Sequence, residues 1–278
     1  MRLASIVVCT FNRADALTMT VRSLCEQMLP ADWDVEVLVV DNNSNDDTRA
    51  VVERCGRDYD GRLRYLFEPR QGKSHALNSG LAAARGELFL ITDDDCVADP
   101  DWLLQMIAAF SDYPSAVLIG GRVDLYDPAD RAVTVRTFDQ VIAFDSSAQV
   151  FHLVPGCNFA MRRAAWEAVG PFDPHLGPGS PRGLVAEDTD FLYRALRGGL
   201  EMYYCPRPRV RHAHGRRSDE QVAKLHRTYL RGRGAFYCKH LLRGDGVVLR
   251  MLYWEVRRSV HIIVDEPVRR RTQFRSLV

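Results

Sequence analysis

The sequence of 278 residues is 46% hydrophobic and 26% charged, with a formal net charge of +1. These values are those of an ordinary globular protein and exclude a fibrous, largely disordered or disulfide-scaffolded chain. The charge is segregated, because residues 207–278 hold 18 of the 37 Lys and Arg but only 6 of the 36 Asp and Glu. This asymmetry predicts that the basic tail meets something anionic or folds back on the acidic body.

The cysteines and the apolar runs bear on the compartment. The seven cysteines are scattered and never form a C-x-x-C pair, which favours a reducing environment. No apolar run reaches the roughly 18 residues that cross a bilayer, and the first residues lack the pattern of a signal peptide. We therefore expect a cytoplasmic protein that is able to touch the inner face of the membrane.

Strand and helix patterns alternate through the first third of the chain. In order they are strand 4–8, helix 16–28, strand 35–40, helix 48–55, strand 63–67, helix 73–85 and strand 87–91. The alternation predicts an α/β fold with a mostly parallel sheet flanked by helices. Ligands of such sheets bind beyond the carboxyl ends of the strands, where Asn12, Asp41 and Asp93 fall.

The patterns are weaker after Pro100. They indicate helix 102–110, strands 116–123 and 156–161, helix 188–197, and strands 202–205 and 210–214. Two helices with a glycine-rich break at 243–246 are expected between 218 and 264. We therefore predict an α/β domain over residues 1–217 and a basic helical extension over residues 218–278.

Three consecutive acids, Asp93, Asp94 and Asp95, directly follow the apolar strand 88–91. On a random surface such a run is usually a solvated turn. At the mouth of a buried strand the carboxylates are costly unless a cation neutralises them. Carboxylate oxygens suit Mg²⁺ and Mn²⁺, so the position favours a divalent metal site.

Four segments, in this order, resemble the family 2 glycosyltransferases of the GT-A fold, and the resemblance covers about residues 4 to 214. They are Ile6–Arg13, Val39–Thr48, Gly72–Gly80 and Asp93–Asp95, the last being the family's D-x-D. The resemblance implies a GT-A domain with a C-terminal helical appendage, and an inverting, single-displacement glycosyltransferase. It also implies a nucleotide-sugar donor, most simply a UDP-sugar, with Mn²⁺ or Mg²⁺ as cofactor and an acceptor hydroxyl in glycan, glycolipid or natural-product biosynthesis.

The resemblance implies that residues of all four segments bind the donor. The residues assigned to it are Thr10, Asn12, Arg13, Asp41, Ser44, Lys73, Asn78, Asp93 and Asp94. Asp41 would accept a hydrogen bond from the uracil N–H, and Lys73 would lie beside the diphosphate at a helix N-terminus. The alternatives are a helix cap for Asp41 and Ser44, an exposed lysine for Lys73, and a solvent-facing Asp94.

Metal coordination is assigned by the resemblance to Asp95, with a late histidine as a further ligand. His212 and His214 alternate in a strand-like segment and so point the same way. Either histidine fits, and we favour His212. The alternative is an ordinary core or surface histidine.

The acceptor side resembles the family at 156–163 and at 186–191. The second segment carries Glu187 and Asp188, and in the family an acid of this pair is the general base. A direct displacement needs a carboxylate within hydrogen-bond reach of the acceptor hydroxyl. We assign the base to Asp188, with Glu187 in reserve. The alternative is that these acids only complement a helix dipole.

Two functions of other classes compete. Asp93-x-Asp95-x-Val97 after an apolar strand also fits an aspartyl-nucleophile phosphatase, although such a motif usually opens its domain. A non-catalytic protein that binds anions or nucleic acid through its basic tail is the other alternative. The acidic body would repel a long polyanion, so nucleic acid is not the favoured partner.

The tail beyond Ser218 shows an amphipathic pattern. Its apolar positions are Val222, Leu225, Tyr229, Leu230, Phe236 and Tyr237, with basic residues between them. The pattern is typical of an interfacial helix, and predicts peripheral contact with an anionic membrane. Packing of the same stripe on the α/β domain is the alternative.

Overall fold

A computed structural model describes residues 1–59, 61–145 and 147–257. The chain divides into two compact units, Met1–Gly232 and Arg233–Val278. The division lies inside a helix, fifteen residues after the expected boundary at 217. Because of this, more than half of that helix belongs to the α/β unit.

Nine strands form one sheet in the described part of the chain. They are β1 (Arg2–Thr10), β2 (Trp33–Asp41), β3 (Leu63–Phe67), β4 (Leu88–Asp93), β5 (Cys96–Ala98), β6 (Leu118–Leu125), β7 (Ile142–Ala143), β8 (Asn158–Arg162) and β9 (Met202–His212). The helices are α1 (Ala14–Cys25), α2 (Thr48–Gly56), α3 (Lys73–Ala83), α4 (Trp102–Asp112), α5 (Arg163–Val169), α6 (Glu187–Arg197) and α7 (Asp219–Leu242). A further helix, α8, is described over 246–257.

The sheet is mixed, with strand order β3-β2-β1-β4-β8-β6-β9-β5, and β7 pairs with β9. The β3-β2-β1-β4 half is parallel throughout. β8 then enters antiparallel between β4 and β6. β6 and β9 run parallel, while β5 and β7 join β9 antiparallel. The expected α/β architecture is confirmed, and its parallel half is the half that alternates strand and helix in sequence.

The core lies on both faces of the parallel half. Val37, Leu38, Val39 and Val40 of β2 are fully buried, because helices cover the sheet on both sides. Burying one such side chain contributes about 1.5–3 kcal/mol to folding. This unbroken apolar run is therefore enough to hold the β2 carboxyl end, and Asp41 with it, at a fixed place.

Several elements differ from the sequence-based expectations. The two strands expected at 202–205 and 210–214 are one continuous strand, β9. Its pairing with β6 shifts register, because Gly120 pairs with Tyr204 and Arg122 pairs with Arg209. Strands β5 and β7 and helix α5 were not expected. The first two have three and two residues, which is too short for a periodic pattern.

The unit from Arg233 onward contains the end of α7 and, over 246–257, α8. Phe236 and Tyr237 are buried, and the Tyr237 hydroxyl donates a hydrogen bond to Glu255. The expectation that these two residues form an exposed interfacial face is therefore wrong. Among the described residues, no helix has the length and apolarity that crossing a membrane requires.

Candidate active site

The carboxyl ends of β1 and β2 carry two loops that are tied together. Asn12 has a φ of 52°, a left-handed conformation that Asn tolerates better than most residues. Its backbone N–H donates to the Ser44 hydroxyl at 2.9 Å, and its side-chain oxygen accepts from the Asn45 N–H at 2.8 Å. These contacts place Asn12 and Ser44 side by side at the sheet edge.

Asp41, the last residue of β2, is 3% exposed. It accepts a hydrogen bond from the Tyr65 hydroxyl at 2.7 Å and another from the Ser44 N–H at 2.8 Å. A carboxylate has about four acceptor sites, so capacity for a further donor is left. Tyr65, which sequence reasoning did not single out, therefore orients this carboxylate.

Helix capping in this region falls to another acid. Asp46 accepts from the Ala14 N–H at the start of α1 at 3.0 Å and from the Thr48 N–H at the start of α2 at 3.1 Å. One carboxylate thus serves the N-termini of two helices. The alternative of a simple capping role for Asp41 and Ser44 loses its support.

Asp94 is held from two sides. It is 6% exposed, accepts from the Thr10 hydroxyl at 2.8 Å, and forms an ion pair with Arg13 at 2.9 Å. Burial raises its pKa, although Arg13 acts in the opposite direction. Asp94 therefore does not face solvent, and it anchors Thr10 and Arg13 rather than standing free.

Lys73, the first residue of α3, lies between two acids. Its Nζ is 2.5 Å from Asp93 and 3.9 Å from Glu187. Burial disfavours the ammonium ion, but these two carboxylates outweigh burial and raise the pKa of Lys73 well above its usual range. Lys73 is therefore a charged group with 18% of its side chain exposed, and the alternative of an exposed lysine is wrong.

Asp93, Asp95 and His212 form a group that fits a metal ion. One ligand atom of each lies within 4.8 Å of the others, and Asp95 Oδ1 is 3.1 Å from His212 Nε2. β5 brings them together, because Cys96 pairs with His212 across the β5–β9 ladder. Two carboxylates with one imidazole suit Mn²⁺, and Mg²⁺ with bound waters.

His214 lies apart from this group. Its Nδ1 accepts from the Arg216 N–H at 3.0 Å and is 3.6 Å from Asp130. Burial lowers the pKa of His214, as do the neighbouring His212 and Arg216. Of the two histidines, His212 remains the one proposed as a ligand.

Asp95 and His212 hold each other in charged form in the metal-free protein. Burial disfavours the Asp95 carboxylate, but His212 and Arg13 outweigh burial and lower its pKa. Arg13 Nη1 is 2.7 Å from Asp95 Oδ2. Burial likewise acts against charged His212, yet Asp95 raises the pKa of His212 to about 9.

Glu187 and Asp188 begin α6 and face different surroundings. Glu187 is buried, and its Oε2 has no hydrogen-bond partner in the described part of the chain. Asp188 lies against Gly156, where the Cβ of any larger residue would stand 2.3 Å from Asp188 Oδ2. The segment before β8 therefore needs a glycine for Asp188 to reach its position.

The backbone of Phe172 binds both polar atoms of the Asn78 side chain. Its side-chain nitrogen donates to the Phe172 carbonyl and its oxygen accepts from the Phe172 N–H, both at 2.8 Å. These bonds fix the loop before α6 to α3. Direct donor binding by Asn78 stays a prediction.

Two arginines of the site were missed by sequence reasoning. Arg136 Nε and Arg216 Nη1 are buried and, among the described residues, lack a hydrogen-bond partner. Asp188 and Tyr229 lie within electrostatic range of Arg136, and burial lowers the pKa of Arg136. Neither arginine belongs to a motif, and Arg136 comes within range of Asp188 only in the folded chain, so the sequence carried no signal for them.

Comparison with protein-family profiles matches residues 5–170 to Glycosyl transferase family 2. The chain belongs to this family. A second profile, Glycosyl transferase family group 2, matches residues 88–257. The segments on which the resemblance was first stated lie within the matched region.

Three curated relatives are similar over 45% to 75% of this chain. The probable glycosyltransferase YdaM of Bacillus subtilis is 25% identical over 73% of this chain and 48% of its own length. The glucosyl-dolichyl phosphate glucuronosyltransferase of Haloferax volcanii is 26% identical over 75% of this chain and 68% of its own. Validoxylamine A glucosyltransferase of Streptomyces hygroscopicus is 35% identical over 45% of this chain and 30% of its own. The chain thus spans about half the length of the first of these relatives.

Solved structures share the fold. The mannosyltransferase PcManGT of Pyrobaculum calidifontis, in complex with GDP-Man and Mn²⁺, has a TM-score of 0.63 at 22% identity, over 86% of this chain and 64% of its own. S. aureus TarS 1–349 in complex with UDP-GlcNAc has a TM-score of 0.55 at 24% identity, over 74% of this chain and 59% of its own. The GT-A fold predicted from sequence is confirmed.

The buried Glu187 of this family 2 chain gives a pH-dependent stability. Burial and Asp188 raise its pKa from 4.5 to about 7, against Lys73. Because its pKa is higher in the folded state, Glu187 binds its proton more tightly there than in the unfolded chain. Proton binding by Glu187 therefore stabilises the fold; this stabilisation is complete below pH 4.5 and is lost as pH rises through about 7. The shift corresponds to about 3 kcal/mol. We expect Glu187→Gln to stabilise the metal-free protein at about pH 8 by this order, and much less at about pH 4.5.

Thermal unfolding of wild type and Glu187→Gln at the two pH values measures the effect. Glu53→Gln, on the exposed face of α2, is the matched control and should leave the stability unchanged at both pH values. An equal effect of Glu187→Gln at both pH values would contradict the raised pKa of Glu187.

Proposed function

We propose that this chain is a metal-dependent, inverting glycosyltransferase that moves a sugar from a nucleoside diphosphate sugar to an acceptor hydroxyl. One observation carries the proposal. The candidate metal ligands Asp93, Asp95 and His212 lie at the same sheet edge as Asp41, the residue expected to bind the nucleotide base. This is because β1 joins β2 and β4 in parallel. This arrangement supports neighbouring positions for the nucleotide and the metal ion.

The donor we propose is a UDP-sugar. Asp41 has acceptor capacity beyond its bonds to Tyr65 and Ser44, and a uracil N–H is a donor that fits it. TarS has been solved with UDP and with UDP-GlcNAc, which supports this base. PcManGT was solved with GDP-Man, so a guanine nucleotide is the alternative for the test.

Asp93, Asp95 and His212 would hold a Mn²⁺ or Mg²⁺ ion. When bound, the ion supplies positive charge that offsets the charge growing on the departing nucleoside diphosphate. Lys73 adds an ammonium group beside Asp93. The unused buried donors of Arg136 and Arg216 fit oxygen atoms of a phosphate group, since orphaned donors in a protein interior are costly.

Asp188 is the proposed general base. It would accept the proton of the acceptor hydroxyl while that oxygen attacks the anomeric carbon and the bond to the diphosphate breaks. Displacement from the opposite face inverts the anomeric configuration. Glu187 is assigned a supporting role, because it lies 3.9 Å from Lys73 and is buried.

Calorimetric titration of UDP- and GDP-sugars, with and without Mn²⁺, tests this function. We expect UDP-sugars to bind only with the metal present, and Asp41→Ala to weaken binding about tenfold through loss of one hydrogen bond to the base. Asp47→Ala, an exposed acid of the same loop, is the control. Failure of every nucleotide sugar to bind, together with hydrolysis of a generic phosphate ester, would favour the phosphatase alternative.

We also propose peripheral contact with an anionic membrane through α8. Its exposed residues combine aromatic and basic groups: Tyr253, Trp254, Arg250 and Arg257. The Arg257 guanidinium lies 5.2 Å from the Trp254 ring centre. Aromatic residues prefer the interface of a bilayer, and each basic residue near an anionic surface adds about 1 kcal/mol.

Sedimentation with phosphatidylglycerol vesicles tests the membrane contact. We expect the wild-type chain to sediment with these vesicles and not with phosphatidylcholine vesicles. The double substitution Tyr253→Ser with Trp254→Ser should abolish sedimentation, whereas Tyr126→Ser, an exposed tyrosine of the other unit, should leave it unchanged. Equal sedimentation of all three proteins would refute a role for α8.

A further inference from the structure

Two cysteines lie beside His212, a residue of the proposed metal site. Cys96, which opens β5, is fully buried, and Cys157, just before β8, is 5% exposed. Both Sγ atoms and one ring nitrogen of His212 lie within 4.8 Å of one another. This group of Cys96, Cys157 and His212 is the thiol cluster.

The backbone fixes the thiol cluster. Cys96 and His212 are directly opposite in the antiparallel β5–β9 pair, so their side chains share one face of the sheet with their Cβ atoms about 4.5–5.5 Å apart. Cys157 is tied to β4, because the Thr92 hydroxyl donates to its carbonyl at 2.9 Å. Strands β5 and β9, and the residue that precedes β8, therefore supply the three ligands.

Thr134 orients the ring of His212. Thr134 Oγ1 lies 3.0 Å from Nδ1, which directs Nε2 towards Asp95. Thr134 has a φ of 58°, a strained conformation for a β-branched residue. A second residue that fixes the imidazole in this way is typical of metal-ligating histidines.

The thiol cluster and the group of Asp93, Asp95 and His212 differ in chemistry but share His212. Thiolate and imidazole ligands select Zn²⁺ and similar ions, whereas carboxylates suit Mg²⁺ and Mn²⁺. Two thiolates would neutralise one divalent ion, leaving the buried site without net charge. The two thiol protons and the proton of His212 Nε2 would pass to solvent on binding. Because Thr134 engages Nδ1 of His212, only Nε2 is left to bind an ion. One Nε2 atom binds one ion, so the two groups cannot both use His212.

We propose that Cys96, Cys157 and His212 form a binding site for a thiophilic divalent cation, Zn²⁺, whose occupancy withdraws His212 from the Asp93 and Asp95 carboxylates. Zinc binding by the thiol cluster does not depend on glycosyl transfer. Its consequence, the displacement of Mn²⁺, rests on the proposed metal site. Zinc would therefore oppose the Mn²⁺-loaded state of the protein.

Cobalt absorption spectroscopy tests the thiol cluster. The full chain, kept reduced and stripped of metal by a chelator that is then removed, is titrated with Co²⁺ as a spectroscopic substitute for zinc. We expect one equivalent to give a thiolate-to-cobalt charge-transfer band and the visible bands of tetrahedral cobalt, and one equivalent of Zn²⁺ to abolish both. Cys96→Ser and Cys157→Ser should each weaken the charge-transfer band, and the double substitution should remove it.

Two further variants separate the thiol cluster from other sites. Cys25→Ser, a buried cysteine of α1, should leave the cobalt bands unchanged. Asp95→Asn should keep them while losing Mn²⁺ affinity, which distinguishes a failure of the thiol cluster from a failure of the proposed function. Absence of a thiolate charge-transfer band in the wild-type protein overturns the proposal, whether or not the serine variants fold.

The competition is measured by electron paramagnetic resonance of free Mn²⁺. We expect Zn²⁺ to release bound Mn²⁺ from the wild-type protein with one-to-one stoichiometry. In the Cys96→Ser, Cys157→Ser double variant the same zinc concentration should release at least about tenfold less, because loss of the soft ligands costs zinc affinity. Simultaneous binding of both ions to the wild-type protein would overturn the withdrawal of His212.

Discussion

Asp95→Asn is expected to abolish metal-dependent donor binding and turnover. The substitution keeps the size of the side chain but removes the charge that lies 3.1 Å from His212 and 2.7 Å from Arg13. Changes in residues that merely support a metal ligand cost about 10- to 100-fold in metal affinity, so loss of a charged ligand should exceed about 100-fold. Electron paramagnetic resonance measures Mn²⁺ binding, and calorimetry measures UDP-sugar binding in its presence.

Asp112→Asn is the matched control for this result. Asp112 also pairs with an arginine, Arg207, but lies on α4, and its substitution should change neither measurement. Circular dichroism confirms that both variants fold. Wild-type turnover by Asp95→Asn with Mn²⁺ would show that Asp95 is not a metal ligand.

Asp188→Asn is expected to lower turnover by about 100-fold or more, because a positioned proton acceptor contributes about 10²- to 10⁴-fold. Donor affinity should stay near its wild-type value, since Asp188 lies against Gly156, on the proposed acceptor side, and is no member of the Asp93, Asp95 and His212 group. Steady-state kinetics and calorimetry on the same preparation measure the two quantities. The proton coupling constant at the anomeric carbon of the product should show inversion.

Glu187→Gln is the comparison that assigns the base. Its neutral amide keeps the size of the side chain next to Lys73, so we expect a smaller loss of turnover than for Asp188→Asn. The reverse order would transfer the role of base to Glu187. Retention of anomeric configuration would exclude the direct displacement with either residue.

The sequence predicted the parallel half of the fold well because its signals are local. β2 is an apolar run covered on both faces, and the acids follow where the run stops. The antiparallel half was less visible, since β5 has three residues and β7 has two. Their place is set by pairing with β9, a long-range contact that no periodicity records.

The residues of the candidate site also differ in whether local sequence signals could reveal them. Asp41 and Asp93 end strands, and Asp95 lies two residues beyond one, so their proximity followed from the rule that parallel strands end at one edge. Tyr65, Arg136 and Arg216 reach the site through tertiary contacts. The partners of Asn78 were equally hidden, because the Phe172 backbone approaches α3 from 94 residues away.

Arg13 determines how the protein behaves when it is depleted of divalent ions. Its guanidinium already bridges Asp94 and Asp95, so the buried acids are not left as uncompensated charges, which would destabilise the fold by several kcal/mol each. We therefore expect the protein to stay folded in a chelating buffer. Loading the proposed site with Mn²⁺ would then exchange one cation for another on Asp95, and its midpoint should depend on how readily Arg13 finds a new anionic partner, such as the diphosphate of the proposed donor.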